Sequence, residues 1–391
     1  MPASVYLDYN STTPLDPRVA DEIHQANLRP FLNPGSQHQL GQRARKYLEQ
    51  CKTEIVRILG GHCDRVDADR IVITSGGTES NNLALIGGGQ FQKRTLNRTG
   101  IVVSSIEHPS ILNATEYLKS QGFDVQTWAS DADGVCSIDR LDDLVDENTA
   151  LVSCMVANHE TGVIQPVQQA AAFCQSKGVL FHSDASQGIG KIPLSFADLG
   201  VDLMTISPHK FYGPRGVGGL LVRSKVEIDP LLYGGSQQLA LRPGTEDIAL
   251  VAGFLRATQL VSERLEASAS IEKLRDLLER RIEESVGEIV INGRNAERLP
   301  NTSNIGFANL NRQAILMAAD LEGLCFSTGS ACASGSSEPS PVLQAMGLDS
   351  KFIEGSIRLS LGVDTTREEV DHTVDRFVEI ATRLRRSLSA S

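Results

Sequence analysis

Ile71-Val72-Ile73-Thr74-Ser75-Gly76-Gly77-Thr78-Glu79-Ser80-Asn81-Asn82 passes from a β-branched run, through two glycines, into a polar helix start. The run up to Ser75 reads as a strand, and 78–86 continues without a breaker as a helix. The same pattern returns at Ile101-Val102-Val103-Ser104-Ser105, followed by a helix expected over 110–120. Further strands are expected over 123–127, 150–156, 179–183, 203–207 and 219–222, with a helix over 168–176 between two of them. Strands that alternate with helices imply an α/β fold whose mostly parallel sheet is covered on both faces. Ligands in such sheets sit beyond the C-terminal ends of the strands. The residues that close each run are therefore the first place to look for chemistry.

Near Thr245 the texture changes. Residues 246–286 are rich in Ala, Leu, Glu and Arg and read as a long helix with interruptions. It leads to a second unit with strands at Ser303-Asn304-Ile305-Gly306-Phe307 and Ser356-Ile357-Arg358-Leu359-Ser360 and a helix over 313–321. A last helix starts near Thr366, where Thr365 or Thr366 can cap it and Glu368 and Glu369 fall in its first turn. Residues 327–340 are dominated by Ser, Gly and Ala and read as a mobile loop.

The bulk numbers narrow the class. A chain of 391 residues suggests two domains, and 41% hydrophobic with 22% charged residues is ordinary for a globular protein. A net charge of −11 argues against nonspecific nucleic-acid binding, which needs Lys and Arg to neutralise phosphates. No apolar run reaches the roughly 20 residues of a membrane helix, and the start lacks a basic, apolar leader. A cytoplasmic protein with no membrane or nucleic-acid partner is expected. The 7 cysteines include no CxxC pair, which argues against a disulfide framework or a zinc ribbon, so no metal is expected.

Several strand ends carry unusual residues. Met204-Thr205-Ile206-Ser207-Pro208-His209-Lys210 ends in a lone lysine, and Phe181-His182-Ser183-Asp184-Ala185-Ser186-Gln187 places an acid at the end of another run. A lysine that forms a Schiff base, with an acid that keeps a pyridinium nitrogen protonated, is the pair that pyridoxal 5'-phosphate requires. A surface lysine after a strand is the commoner case, but it becomes less convincing when the other strand ends are added. The Gly76-Gly77 turn suits a phosphate at a helix start, although many such turns bind nothing and this one lacks the Gly-Lys-Ser/Thr of a P-loop. His108 in Glu107-His108-Pro109 either begins a helix or faces a flat ring. Gln187 either caps a helix or meets a ring hydroxyl. Arg358 is either a surface charge or a fork for a substrate carboxylate. Cys332 lies among small polar residues rather than apolar ones, which favours a reactive thiol over a structural one.

Together these motifs resemble the cysteine desulfurases (NifS/IscS-type), a branch of the class V pyridoxal-phosphate-dependent aminotransferase family, nearly end to end. The resemblance is carried by Tyr6-Leu7-Asp8-Tyr9-Asn10-Ser11-Thr12-Thr13-Pro14, Asn33-Pro34-Gly35-Ser36-Gln37-His38, Ser75 to Glu79, Glu107-His108-Pro109, Asp184-Ala185-Ser186-Gln187, Ser207-Pro208-His209-Lys210 and Arg242-Pro243-Gly244-Thr245. Gly329-Ser330-Ala331-Cys332, with Glu338-Pro339-Ser340 after it, resembles the long-loop subclass that supplies iron–sulfur cluster assembly. The resemblance implies fold type I of the pyridoxal-phosphate enzymes. Residues 15–260 would form a large domain around a seven-stranded sheet, and 1–14 with 261–391 a small α+β domain carrying the cysteine loop.

The resemblance also implies roles. Lys210 would hold pyridoxal 5'-phosphate covalently and shuttle the substrate's Cα proton. Asp184 would pair with the ring nitrogen, Gln187 with the ring hydroxyl, and His108 would stack on the ring. Gly77, Thr78, Ser207 and His209 would hold the phosphate, with Thr245 reaching it from a partner subunit in a homodimer. Asn33 and Arg358 would hold the carboxylate of L-cysteine. Cys332 would take the sulfur as a persulfide, releasing L-alanine, and pass it to a sulfur-acceptor or iron–sulfur scaffold protein. The chain departs from the family at Asn158-His159-Glu160, where the usual pattern is Asn-Asn-Glu, so His159 takes the place of a residue that meets the ring hydroxyl. A selenocysteine lyase or an aminotransferase on the same scaffold is the alternative. A silent sulfur carrier would need Cys332 but neither Lys210 nor Asp184.

Overall fold

The computed structural model of the chain describes residues 4–63, 67–329 and 338–389. The strands in chain order are β1 (Val5–Tyr6), β2 (Arg70–Thr74), β3 (Gly100–Ser104), β4 (Asp124–Trp128), β5 (Thr149–Ser153), β6 (Leu180–Asp184), β7 (Leu203–Ile206), β8 (Gly218–Val222), β9 (Ile289–Ile291), β10 (Thr302–Phe307), β11 (Leu324–Cys325) and β12 (Ser356–Ser360). Seven of them form one sheet in the order β2-β8-β7-β6-β5-β3-β4. β8 is antiparallel to both of its neighbours, and the remaining pairs are parallel. The mostly parallel seven-stranded α/β sheet expected from the sequence is present. β3, β5, β6, β7 and β8 are buried along their whole length, as strands covered by helices on both faces must be.

This topology sets the site. β2 runs antiparallel to β8, and β8 antiparallel to β7, so β2, β3, β5, β6 and β7 all end at the same edge. Five loops converge there.

A second layer is built on the antiparallel sheet β12-β10-β9. The helices Ser268–Val286 and Arg367–Ser389 pack with it around a separate core that includes Leu278, Ile305, Leu359 and Phe377. Val5 and Leu7 belong to that core, and β1 pairs in parallel with β11. The first residues of the chain thus reach across to the last third. The Arg367–Ser389 helix starts with a capping box: Thr366 Oγ1 accepts from Glu369 N at 3.2 Å, and Glu369 Oε2 accepts from Thr366 N at 2.9 Å.

The helical stretch expected over 246–286 is three helices, Ile248–Gln259, Val261–Glu266 and Ser268–Val286. The breaks fall at Leu260 (φ −89°, ψ 0°) and Ala267 (φ −79°, ψ −14°), neither of which has an intrinsic aversion to helix. Packing between the two cores imposes the bends. The strand expected over 123–127 lies one residue later, because Trp128 is buried with its Nε1 donating to Ser137 O at 2.9 Å.

Candidate active site

A cavity of about 470 Å³ opens at the shared strand edge. Its walls include Gly77, Thr78, His108, His159, Asp184, Gln187, Ser207, His209, Lys210 and Arg358. Residues up to 348 positions apart, from Asn10 to Arg358, are therefore brought to one space.

Each arrives by a local device. Lys210 closes the 3₁₀ turn Pro208–Lys210 that follows β7. Its Nζ donates to Asn10 O at 2.7 Å and to Ser11 O at 2.8 Å. Asp184 is the last residue of β6. Its Oδ2 accepts from Asn81 Nδ2 at 2.8 Å and its Oδ1 from Ser186 N at 2.9 Å. Both donors are neutral, and among the described residues the carboxylate has no ion pair. An oriented anion with spare lone pairs therefore faces the cavity. His108 is the N-cap of the helix Pro109–Ser120, where Nδ1 accepts from Ser110 N at 3.1 Å. Burial holds its pKa below the ordinary value, against the pull of Asp184 and with the help of Lys210. The ring is neutral near pH 7.

The Gly77–Asn82 helix begins where β2 ends and continues through a π turn, Leu83–Gly87, into Gly88–Leu96. A Cβ added at Gly77 would stand 2.3 Å from Ser207 Oγ, so only glycine lets the two loops meet. Ser186 Oγ and Ser207 Oγ are 3.2 Å apart. His209 Nδ1 lies 3.2 Å from Thr12 Oγ1, and burial, aided by Lys210 and Arg215, pushes its pKa down to about 4. First-turn amides without helical acceptors, two hydroxyls and an imidazole make a donor set suited to a phosphate.

The His159 ring meets His108 edge-on, with centroids 5.3 Å apart. Among the described residues its buried Nδ1 has no hydrogen-bond partner, and its Nε2 lies 3.7 Å from Glu160 Oε1. Burial first, then His108, Arg358 and Lys210, hold its pKa well below the ordinary value. Gln187 Nε2 donates to Asn10 O at 3.0 Å. Arg358, in the middle of β12, donates from Nη2 to Asp8 Oδ1 at 2.6 Å and Ser11 Oγ at 2.7 Å, and from Nη1 to His159 O at 2.9 Å.

One residue expected in this wall is not in it. Asn33 is exposed, with its Oδ1 accepting from Gly35 N at 2.8 Å, and it does not line the cavity. Thr245, expected to serve a partner subunit's site rather than its own, is exposed and outside this cavity. Cys332 lies outside the described residues. Gly329 and Pro341, on either side of the segment that contains it, both line the cavity.

Asn10, Ser11, Asn81 and Lys191 were not singled out from the sequence, yet they hold the residues that were. Asn10 and Ser11 contribute mainly backbone oxygens, which carry no residue-type signal. Asn81 did have one: it falls one helical turn after Gly77, facing the same strand ends.

The residues present fit pyridoxal 5'-phosphate. A lysine amine, a carboxylate held by neutral donors, an aromatic imidazole and an anion cradle line one cavity of suitable size. Among the described residues no cluster of His, Cys, Asp or Glu could hold a metal ion.

The chain belongs to the aminotransferase class-V family, whose model matches residues 5–373. Within it, the chain is similar to cysteine desulfurase IscS of Dictyoglomus turgidum, 39% identical over 388 residues that cover 98% of this chain and 96% of that one. It is also similar to a cysteine desulfurase of Trichormus azollae, 38% identical over 384 residues, covering 97% and 94%. Among solved structures, a NifS-like protein superposes with a TM-score of 0.88 at 35% identity, covering 97% of this chain and 100% of the other.

Proposed function

We propose that this chain is a cysteine desulfurase that removes sulfur from L-cysteine, releases L-alanine and carries the sulfur as a persulfide on Cys332. The observation that carries the reading is the placing of the Lys210 amine and the Asp184 carboxylate on one cavity, from the ends of neighbouring strands, with Arg358 in the same wall. Pyridoxal 5'-phosphate, when bound, supplies an electron sink for charge developing on the substrate carbon.

The chain's own residues do the rest. Asp184 keeps the ring nitrogen protonated. Asn81 and Ser186 hold the carboxylate in the required orientation. His108 would cover the ring, and Gln187 and His159 would meet its hydroxyl. Gly77, Thr78, Ser207 and His209 hold the phosphate, joined by Thr245 of a partner subunit in a homodimer. Arg358 and Asn33 bind the substrate carboxylate.

Lys210, once its amine is free, takes the Cα proton as general base and returns it as general acid. The Cys332 thiolate attacks the substrate sulfur. The S–S bond forms, the Cβ–S bond breaks, and the electron pair left on carbon is protonated as alanine forms. Sulfur then passes to an acceptor or iron–sulfur scaffold protein. The second core, which holds Val5 and Leu7 with residues from 271 onward, supports a division into 15–260 and 1–14 with 261–391, although Leu299, Val342, Leu343, Met346 and Ile353 pack into the first core. Among the described residues no helix is long and apolar enough to cross a membrane, which suits a cytoplasmic enzyme.

The test is Cys332→Ser. It retains cofactor absorbance near ~400 nm, and mass spectrometry finds no persulfide after incubation with labelled cysteine. Full alanine production by that variant overturns the nucleophile assignment. Turnover that consumes a 2-oxo acid instead marks an aminotransferase.

A further inference from the structure

A second lysine lies behind the cavity. Lys191 follows β6 by seven residues in sequence. Its Nζ donates to Asn10 Oδ1 at 2.8 Å and to Gln187 Oε1 at 2.6 Å. No carboxylate lies within ion-pair distance of it among the described residues. An ammonium held only by two side-chain amides is unusual, because buried cations are normally paired.

Its contacts lead to Lys210. Asn10 offers its side-chain oxygen to Lys191 and its backbone oxygen to Lys210 Nζ, 2.7 Å away. Gln187, whose Oε1 meets Lys191, donates through Nε2 to the same Asn10 backbone oxygen at 3.0 Å. Asn10 is fixed on its other sides by Thr302 Oγ1 at 2.8 Å and Asn301 Nδ2 at 3.1 Å. The two lysines thus grip opposite ends of one immobilised residue, and both border a small cleft beside it.

We infer that Lys191 is a positioning residue that tunes Lys210 through Asn10: it orders the carbonyl oxygen that holds the Lys210 nitrogen, and its positive charge disfavours a second one there. This rests on the reading of Lys210 as the cofactor-binding lysine. A neighbouring cation is a known means of keeping a Schiff-base lysine reactive. The Lys191 pKa is held well below its ordinary value, first by burial, which works against its own charge, and then by Lys210 and Arg358; the Lys210 share is the same repulsion seen from the other side. The other charged or titratable groups facing the pair are Tyr9 and Tyr212 in the small cleft, Glu107, His108 and Asp184 at strand ends, His159 and Glu160 after β5, His209 on the Lys210 turn, and Arg358 on β12 with its partner Asp8. Substituting Lys191 leaves all of these in place.

The experiment is a pH titration of the visible absorbance of the holoenzyme, with the cofactor bound to Lys210. Removing the cation favours the protonated form of the Lys210 nitrogen, so Lys191→Met raises the midpoint by about one unit, a tenfold change in the protonation constant. Lys191→Arg restores the original midpoint. Lys191→Gln, which keeps a hydrogen-bonding group without charge, raises it as Met does and serves if the Met variant folds poorly. A folded, fully loaded Met or Gln variant whose midpoint is unchanged or lower overturns the inference. Borohydride reduction and peptide mapping separate the two readings: cofactor trapped on a lysine other than 210 overturns the proposed function instead.

Discussion

Glu107 shows how burial alone can set a charge beside the site. Its Oε1 accepts from Ser104 Oγ at 2.6 Å and from Met155 N at 2.7 Å. Burial pushes its pKa up to about 8; those two bonds oppose the shift, and the nearby Asp184 adds to it. The folded pKa is raised, so the stabilisation is complete below the usual carboxylate range and is lost as pH rises towards about 8. Glu107→Gln keeps both accepted bonds and removes the titration. Urea unfolding will show the variant gaining stability over the wild type between about pH 5 and pH 9, and parallel curves at both pH values refute the assignment. His182 works with the opposite sign. Burial pulls its pKa down to about 4, with Asp184 opposing, so its share of stability is lost as pH falls from its ordinary value towards about 4. At this scale the sequence showed which residues were out of place, Lys210, Asp184, His108 and Arg358 among them. It did not show Asn10 or Lys191, whose contacts lie about 180 residues away along the chain.

Strands and helices were the most legible level, because β-branched runs and capping residues act locally. The turn from β2 into the Gly77–Asn82 helix is the element on which phosphate binding turns. Gly77→Ala brings a methyl 2.3 Å from Ser207 Oγ. The variant folds, because the clash is confined to a helix start and one serine hydroxyl, but it holds pyridoxal 5'-phosphate about 10- to 100-fold more weakly, in line with ~1–3 kcal/mol for overpacking. Equilibrium dialysis measures the affinity, and wild-type retention would remove Gly77 from the cradle. Interruptions in 246–286 were expected, but their places at Leu260 and Ala267, and the π turn Leu83–Gly87, left no trace in composition. They follow from how the helices lie against two cores.

The whole molecule decides whether Arg358 has a function. It is carried by β12 of the second sheet, yet it lines the cavity of the first and bonds Asp8, Ser11 and His159. Lysine has the charge but not the planar fork. Arg358→Lys is expected to raise KM for L-cysteine at least about tenfold, ~1.4 kcal/mol, with cofactor absorbance unchanged. Steady-state kinetics with a visible spectrum checks this, and an unaltered KM rules out carboxylate binding by Arg358.

From the amino-acid order alone came the alternation of strand and helix, the parallel sheet and the chemical residues at strand ends, because periodicity, capping and turn chemistry operate over a few residues. Only the tertiary structure decided that β1 reaches the last third of the chain, that Asn10 joins two lysines, and that Asn33 lies away from the cavity. Those outcomes depend on contacts between distant segments, which no local pattern encodes.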